Sequence, residues 1–307
     1  MTNVFLTGAS GYSGQYVAAE LAHRGHQLTV LARKPTIQPE YRVIRGELAN
    51  LRQVANEIHS ADTIIHLASP RSFEEDSVLQ DDILGTSLLL DAWRTGPFIY
   101  ASSATMYSVP IGDLTESSPI DLMHWHAVGK FCNELQLRLA ACDGLRGPAI
   151  SLRPAIIFAS NERHHDRHFL SDLVSRCRLG TKFLFDSEQD IEAYGSSFIG
   201  GVDFGRAVAD SLQIKVSGAY NVAAGFCTWR NLIETINRCA GTKATFAFRR
   251  DGAVADREFI LPQSRRCLDT GAFKAQTGFV PRQSFEELIE EFVRGEQTGS
   301  KSVSHYQ

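Results

Sequence analysis

Residues 7–14 read Thr7-Gly8-Ala9-Ser10-Gly11-Tyr12-Ser13-Gly14 (TGASGYSG), and the segments on either side of them decide the fold. Ahead of them residues 3–7 (NVFLT) form an apolar, β-branched run; behind them residues 15–24 (QYVAAELAHR) carry apolar side chains at helical spacing, closed by Gly25. A GxxGxxG pattern means little by itself in a chain with 24 glycines. Set between a strand and a helix, it becomes the first turn of a strand–helix–strand unit that binds a dinucleotide. In that role Gly8 permits the tight turn, Gly11 lets the backbone approach a pyrophosphate, and Gly14 lets helix and strand pack closely. The N–H groups at the helix start then face the phosphates. Ser10 and Tyr12, inside the loop, are counted with the glycines as cofactor contacts. A glycine-rich turn without ligand is the plain alternative.

Working outward, residues 27–32 (QLTVLA) and 41–44 (YRVI) read as strands, 51–58 as a helix and 63–68 (TIIHLA) as a strand. A helix follows at 78–93, a strand at 98–102 (FIYAS), a long helix at 125–142 and a strand at 149–153 (AISLR). Near-continuous apolar strands alternating with amphipathic helices predict a parallel sheet covered on both faces. After Pro154 the rhythm breaks, and residues 159–200 show little strand signal, apart from a helix at 169–178. Further helices are expected at 203–213, 229–239 and 285–294, with a strand at 219–223 (AYNVA). The expected fold is α/β: a Rossmann-type doubly wound parallel sheet with a smaller, discontinuous C-terminal substrate domain. Residues 1–155 would form the dinucleotide-binding domain, with 200–225 returning to it. Residues 156–199 and 226–295 would bind substrate, and 296–307 would be a flexible tail.

Composition narrows the functional classes. The 307 residues are 43% hydrophobic and 21% charged, which suits a large buried core and excludes disorder for most of the chain. Lys and Arg number 31 against 35 for Asp and Glu, so no basic excess exists to neutralise a nucleic-acid backbone. No apolar stretch approaches the ~20 residues of a membrane span. The six cysteines include no CxxC pair; reduced thiols and a cytoplasmic location are the simple reading.

The end of the second strand distinguishes the two common dinucleotides. An NAD site places an acidic side chain there for the ribose hydroxyls. Leu31-Ala32-Arg33-Lys34-Pro35 instead offers two cations and no carboxylate, which favours the 2′-phosphate of NADP over NAD. As solvated loop charges, Arg33 and Lys34 would carry no such meaning. Glu47 and Leu48, after the third strand, are expected beside the adenine, although Glu47 also reads as a plain surface carboxylate. Leu67, Ala68 and Ser69, ending the fourth strand, are expected beside the pyrophosphate and ribose.

Five segments occur in order: TGASGYSG, IIHLAS (64–69), YASSATMYS (100–108), SLRPAIIFAS (151–160) and AYNVAAG (219–225). Together they resemble the extended short-chain dehydrogenase/reductase family, of the NAD(P)-dependent sugar epimerase/dehydratase type. The resemblance implies a Ser/Thr, Tyr and Lys set. The tyrosine exchanges a proton with the substrate while the nicotinamide exchanges a hydride. The lysine holds the nicotinamide ribose and lowers the tyrosine pKa, and the serine hydrogen-bonds the reacting oxygen. By that alignment Ser103 is the serine, with Ser102 as fallback, Lys130 is the lysine, and Pro154 touches the cofactor. The tyrosine position holds His126, and no YxxxK occurs anywhere in the chain.

The i, i+4 spacing puts His126 and Lys130 on one helix face. Three readings stay open. His126 is itself the acid/base, its pKa pushed down by Lys130; Tyr107, His124 or Ser103 moves the proton instead; or the chain only binds a cofactor. Two further positions depart from the family pattern. Asp82 stands where an NVxGT segment carries Asn, and Ile156 where the LRPxN segment carries its substrate-contacting Asn.

The expected function is therefore an NADP(H)-dependent oxidoreductase, epimerase or dehydratase acting on a small molecule, a nucleotide sugar or related polar metabolite. A catalytically inactive NADP-binding sensor or partner protein is the alternative. The resemblance also implies a homodimer through the helices at 78–93 and 125–142. Residues 161–168 (NERHHDRH) place His164, His165, Asp166 and His168 together, yet adjacent histidines read as a solvent-facing loop and no metal is expected. Arg163, Arg167, Arg176 and one of Arg265-Arg266 are candidates for pairing with a substrate anion, or else surface arginines.

Overall fold

The computed structural model of the protein describes residues 1–33, 41–49, 51, 55–70, 72–108, 112–159, 169–249 and 258–298. Its strands are, in chain order, β1 (Asn3–Thr7), β2 (Gln27–Ala32), β3 (Arg42–Arg45), β4 (Thr63–His66), β5 (Phe98–Ala101), β6 (Ala149–Pro154) and β7 (Ile156–Phe158). There follow β8 (Lys182–Phe185), β9 (Gly195–Gly200), β10 (Gly218–Val222), β11 (Gly225–Thr228), β12 (Thr245–Phe248), β13 (Glu258–Ile260) and β14 (Arg265–Arg266).

Seven of these form one sheet in the order β10-β6-β5-β4-β1-β2-β3, every pairing parallel. Side-chain alternation divides its strands between two cores. Val4, Leu6, Ile65, Ile99 and Ile150 pack with Val17 and Leu21 of the Gly14–His23 helix and Phe204 and Val208 of the Gly201–Asp210 helix. Phe5, Ile64, Phe98 and Tyr100 pack on the other side with Leu89, Trp93 and Leu137. Burial on both faces is why these strands read as unbroken apolar runs. The strand order reverses between β1 and β4, and the crevice at such a switch point is where an open α/β sheet receives its ligand.

The remaining strands make two smaller sheets. β9 pairs antiparallel with β11 and parallel with β7 and β14; β8 lies between β12 and β13. A third core, including Phe158, Phe183, Trp229, Ile233, Ile289 and Phe292, underlies them.

Two expectations need correction here. Residues 159–200 contain strands β8 and β9 despite their weak strand signal. β9 is buried along its whole length, and its serines are satisfied internally: Ser196 Oγ donates to the Ser197 carbonyl at 3.0 Å, and Ser197 Oγ accepts from Leu268 N–H at 3.0 Å. Small polar residues thus replace the β-branched ones that a strand usually advertises. The helix expected at 78–93 is two pieces, π-helical turns over Val78–Leu84 with Val78 and Asp82 buried, then α-helix over Gly85–Ala92.

Candidate functional site

β1 delivers Thr7 to the glycine loop. Gly8 turns the chain at a φ of 78°, and a Cβ there would stand 2.5 Å from the Ala68 nitrogen. Gly11 N–H donates back to the Gly8 carbonyl at 2.9 Å. At Gly14 a Cβ would collide with that same carbonyl oxygen, so helix and loop meet only through glycine. Ser13 does not cap the helix, whose positive end faces the loop. The Tyr12 hydroxyl donates to the Ala159 carbonyl and accepts from Ala159 N–H at 2.8 Å, tying the loop to the chain just beyond β7. Ser10 is exposed.

The ends of β2, β3 and β4 surround this turn. Ala68 N–H donates to Thr7 Oγ1 at 3.3 Å, and Thr7 Oγ1 pairs with His66 Nδ1 at 2.6 Å. The other His66 nitrogen lies 3.0 Å from Thr86 Oγ1. Burial and the Lys130 charge push His66 down to about 3, so this imidazole is neutral. Leu67 and Ala68 are half-buried and Ser69 is exposed. Arg33 is exposed and pairs with no carboxylate among the described residues; Lys34 lies outside them. Leu48 packs over Gly85, and Glu47 is exposed.

The serine pair after β5 divides its duties. Ser102 is buried and donates to Glu134 at 2.5 Å, which removes it as the fallback. Ser103 is half-buried; its Oγ caps the Ala104–Met106 turn, accepting from Thr105 N–H at 3.2 Å and bonding Thr105 Oγ1 at 2.9 Å. Tyr107 is corrected as a proton-transfer candidate. It is buried, its hydroxyl donates to Asn221 at 2.6 Å and accepts from Arg153 at 2.9 Å, and burial raises its pKa against the opposing pull of Arg153. Arg153 in turn grips Glu134 through two bonds of 2.9 and 2.6 Å. This buried cluster of Ser102, Tyr107, Glu134, Arg153 and Asn221 was not anticipated as a unit. Its sequence signal was the serine motif and SLRP, read for a catalytic serine and a cofactor contact rather than for a polar core. Pro154 ends β6 beside it.

His124, His126 and Lys130 come from the start of the Trp125–Ala140 helix. His124 Nδ1 accepts from Ala127 N–H at 3.1 Å as the helix N-cap, so His124 has a structural task. The His126 ring lies 4.3 Å from that of Phe73 and 6.0 Å from that of His124. Its Nδ1 is buried without a hydrogen-bond partner among the described residues. Burial first, then Lys130 and His124, push the His126 pKa down to about 3. Lys130 is 4% exposed, and its ammonium lies 4.9 Å from the Tyr100 ring centroid. Burial first and then the Lys130 charge lower both His66, on β4, and His126, one helical turn before the lysine.

On the substrate side, Arg176 pairs with Asp172 at 2.8 Å and covers Phe259, and Arg265 pairs with Asp113. Arg266 is half-buried, and its described hydrogen bond is a long one of 3.4 Å to the Tyr107 carbonyl. Burial lowers its pKa. Arg163, His164, His165, Asp166, Arg167 and His168 lie outside the described residues, as does the tail from 299 onward.

The parallel sheet with its glycine turn at the switch point, and a buried lysine whose ammonium lies over the β5 residue Tyr100, suit the Rossmann-type fold of the short-chain dehydrogenase/reductase class. The chain belongs to the NAD dependent epimerase/dehydratase family, whose model matches residues 4–196. It is 26% identical over 196 residues to a decarboxylating sterol-4-alpha-carboxylate 3-dehydrogenase of Dictyostelium discoideum, covering 58% of each chain. It is 24% identical over 208 residues to a 2-alkyl-3-oxoalkanoate reductase of Shewanella oneidensis, covering 62% of this chain and 53% of that one. The chain thus spans about half the length of these curated relatives. Among solved structures, it matches UDP-glucose 4-epimerase of Thermotoga maritima with a TM-score of 0.78 at 16% identity, covering 97% of this chain and 99% of that one. UDP-glucose 4-epimerase of Thermus thermophilus, in complex with NAD, matches with a TM-score of 0.75 at 22% identity over 97% and 100%. No helix of the described residues is long and apolar enough to cross a membrane.

Proposed function

We propose that the protein binds a nicotinamide dinucleotide, NADP(H) in preference to NAD(H), and oxidises or reduces a carbonyl/alcohol centre of a small polar metabolite. A nucleotide sugar is the leading substrate class. The observation that carries this reading is Lys130: a buried cation with no carboxylate in ion-pair reach among the described residues, on one helix face with His126. The residues present fit the cofactor. The glycine turn offers backbone close to a pyrophosphate, Arg33 offers a cation for a 2′-phosphate, and Lys130 offers a donor for ribose hydroxyls. When bound, the nicotinamide supplies the hydride acceptor or donor.

The chain's own residues do the rest. Ser103 donates its hydroxyl proton toward the reacting oxygen. His126, with a pKa about 3, is neutral near pH 7 and acts as a hydrogen-bond donor to that oxygen rather than as an imidazolium acid; the proton that the oxygen gains on reduction or loses on oxidation is exchanged with solvent water. Lys130 adds positive charge nearby and favours the anionic oxygen. Arg266, half-buried and without a carboxylate partner among the described residues, suits an anionic group of the substrate. Residues 1–155 and 200–225 would serve the cofactor, and 156–199 with 226–295 the substrate. Exposed Leu79, Leu84, Leu135 and Leu139 on the paired helices suit a homodimer contact.

One observation favours a second reading. Phe73 roofs His126 and its Nδ1 is buried, which suits a non-catalytic cofactor-binding protein. His126→Ala separates the two. Under the enzymatic reading it lowers kcat by about 100-fold and leaves the NADPH Kd within about twofold. Absence of any NADPH or NADH binding to the unaltered protein defeats both.

A further inference from the structure

We propose that Gly129 is a positioning residue: the space left by its missing side chain admits the neighbouring helix and so seats Phe73 over His126. The closure belongs to the ligand-free chain; its bearing on catalysis rests on the reading of His126 given above. The helical segment from Glu75 to Ala92 packs along the Trp125–Ala140 helix, and the contacts between them follow in order along both. Just ahead of the segment, the Phe73 ring meets that of His126 at 4.3 Å between centroids. Val78 then meets Gly129, where a Cβ would stand 2.7 Å from Val78 Cγ1. Asp82 Oδ2 would lie 2.9 Å from that same Cβ, and the Asn133 amide donates to Asp82 Oδ1 at 2.9 Å. One residue on, the Gln136 amide donates to the Ile83 carbonyl at 3.1 Å. The two helices therefore run side by side in the same direction, and Phe73 on His126 is the first rung of the ladder.

A side chain at position 129 has to displace something, and the neighbours decide what. Val78 is fully buried and β-branched, so its methyl cannot swing aside cheaply. Asp82 is buried as well and is held by Asn133. The far end of the segment is anchored: Leu89, Leu90 and Trp93 lie in the core, and Gly85 rests against Leu48. The near end is loose. Phe73, Glu74, Glu75 and Asp76 are exposed, and one short turn, closed by the Val78 N–H bond to the Glu74 carbonyl at 3.1 Å, joins Phe73 to Val78. Between the two ends lie the π-helical turns, a departure from α-helical spacing of the kind that recurs at functional sites. Crowding at Gly129 therefore lifts the Phe73 end by about 1 Å, the difference between 2.7 Å and an ordinary carbon–carbon contact.

The test is NMR of the full-length, ligand-free protein with labelled Phe, Tyr and His rings, and NADPH titration of the unaltered protein reads the proposed function separately. The cross-peak between the Phe73 and His126 rings is expected in unaltered protein. It should fall at least about threefold in Gly129→Ala, since it follows the inverse sixth power of a separation that grows by about 1 Å. The cross-peak between His66 and Tyr100, whose rings lie 5.5 Å apart, should keep its intensity. Gly129→Ala/Val78→Ala, which removes the obstructing methyl, should match Val78→Ala alone. Imidazole titration gives a second readout. Burial first, then Lys130 and His124, lower His126, and those two charges come from its own helix and that helix's cap. Parting the helices therefore acts through burial and raises the His126 midpoint. In a Phe73→Ala background Gly129→Ala should raise it no further. Helix propensity alone predicts a higher Tm and no change in either readout. An absent cross-peak in unaltered protein, an undiminished one in Gly129→Ala, a double variant that stays open, or a rise that adds to that of Phe73→Ala overturns the proposal. If Gly129→Ala does not fold, Val78→Ile crowds the same contact from the other side, and loss or persistence of the cross-peak decides in the same way.

Discussion

The rings of Phe73 and His126 lie 4.3 Å apart, centroid to centroid, inclined at 56°. An aromatic side chain from the segment after β4 thus roofs the residue at the family's tyrosine position. Phe73 is itself 51% exposed, so the roof is one side chain thick. Phe73→Ala should let water reach Nδ1, relax the desolvation that holds the imidazole near 3, and raise its pKa by at least about one unit. Titration of the ring C–H signals by NMR checks this, and an unmoved midpoint refutes it.

Arg33 stands exposed at the end of β2 without a described carboxylate. Arg33→Ala should weaken NADPH binding about tenfold and leave NADH nearly unchanged, since the lost interaction is with the 2′-phosphate alone. Paired titrations monitored by nicotinamide fluorescence decide it. Equal affinities for both nucleotides in the unaltered protein would sink the NADP preference.

Acid should destabilise the fold through its buried imidazoles. His66 and His126 each have a folded pKa about 3, below the ~6.5 of an unfolded histidine. The unfolded chain therefore binds more protons, and stability is full above pH ~7 and declines as pH falls through 6.5 toward 3. At pH 5 the loss is about 2 kcal/mol for each residue. Urea unfolding at pH 7.5 and pH 5 measures it, and His66→Gln should flatten the difference.

Leu139 is 71% exposed and lies one helical turn beyond exposed Leu135 on the Trp125–Ala140 helix. If these helices join two copies, Leu139→Glu buries a charge in the contact and should shift the protein to monomer by sedimentation velocity. A monomeric unaltered protein removes the dimer proposal.

The large sheet was legible because burial on both faces writes itself as apolar runs, as in Val4, Phe5 and Leu6 or Ile64 and Ile65. The glycine loop was legible because Gly8 and Gly14 meet backbone atoms at distances no side chain tolerates. β9 was not, since Ser196 and Ser197 look exposed until their partners are known. Tyr107 misled in the same way: with Arg153 it belongs to a buried network whose members lie far apart in the chain. Hydrogen-bond satisfaction is a tertiary property, and residue type alone carries no record of it.

β10 is the last strand to reach the seven-stranded sheet, pairing Gly218 with Ile150 through Val222 with Pro154. Until synthesis has passed Val222, the nascent chain carries an open ladder of amides and carbonyls along β6, ready to accept a foreign strand. A fragment cut at the matched family boundary, residue 196, would keep that hazard permanently. Soluble expression of the N-terminal portion therefore requires the downstream strand, and chaperone dependence should concentrate in the interval before it arrives.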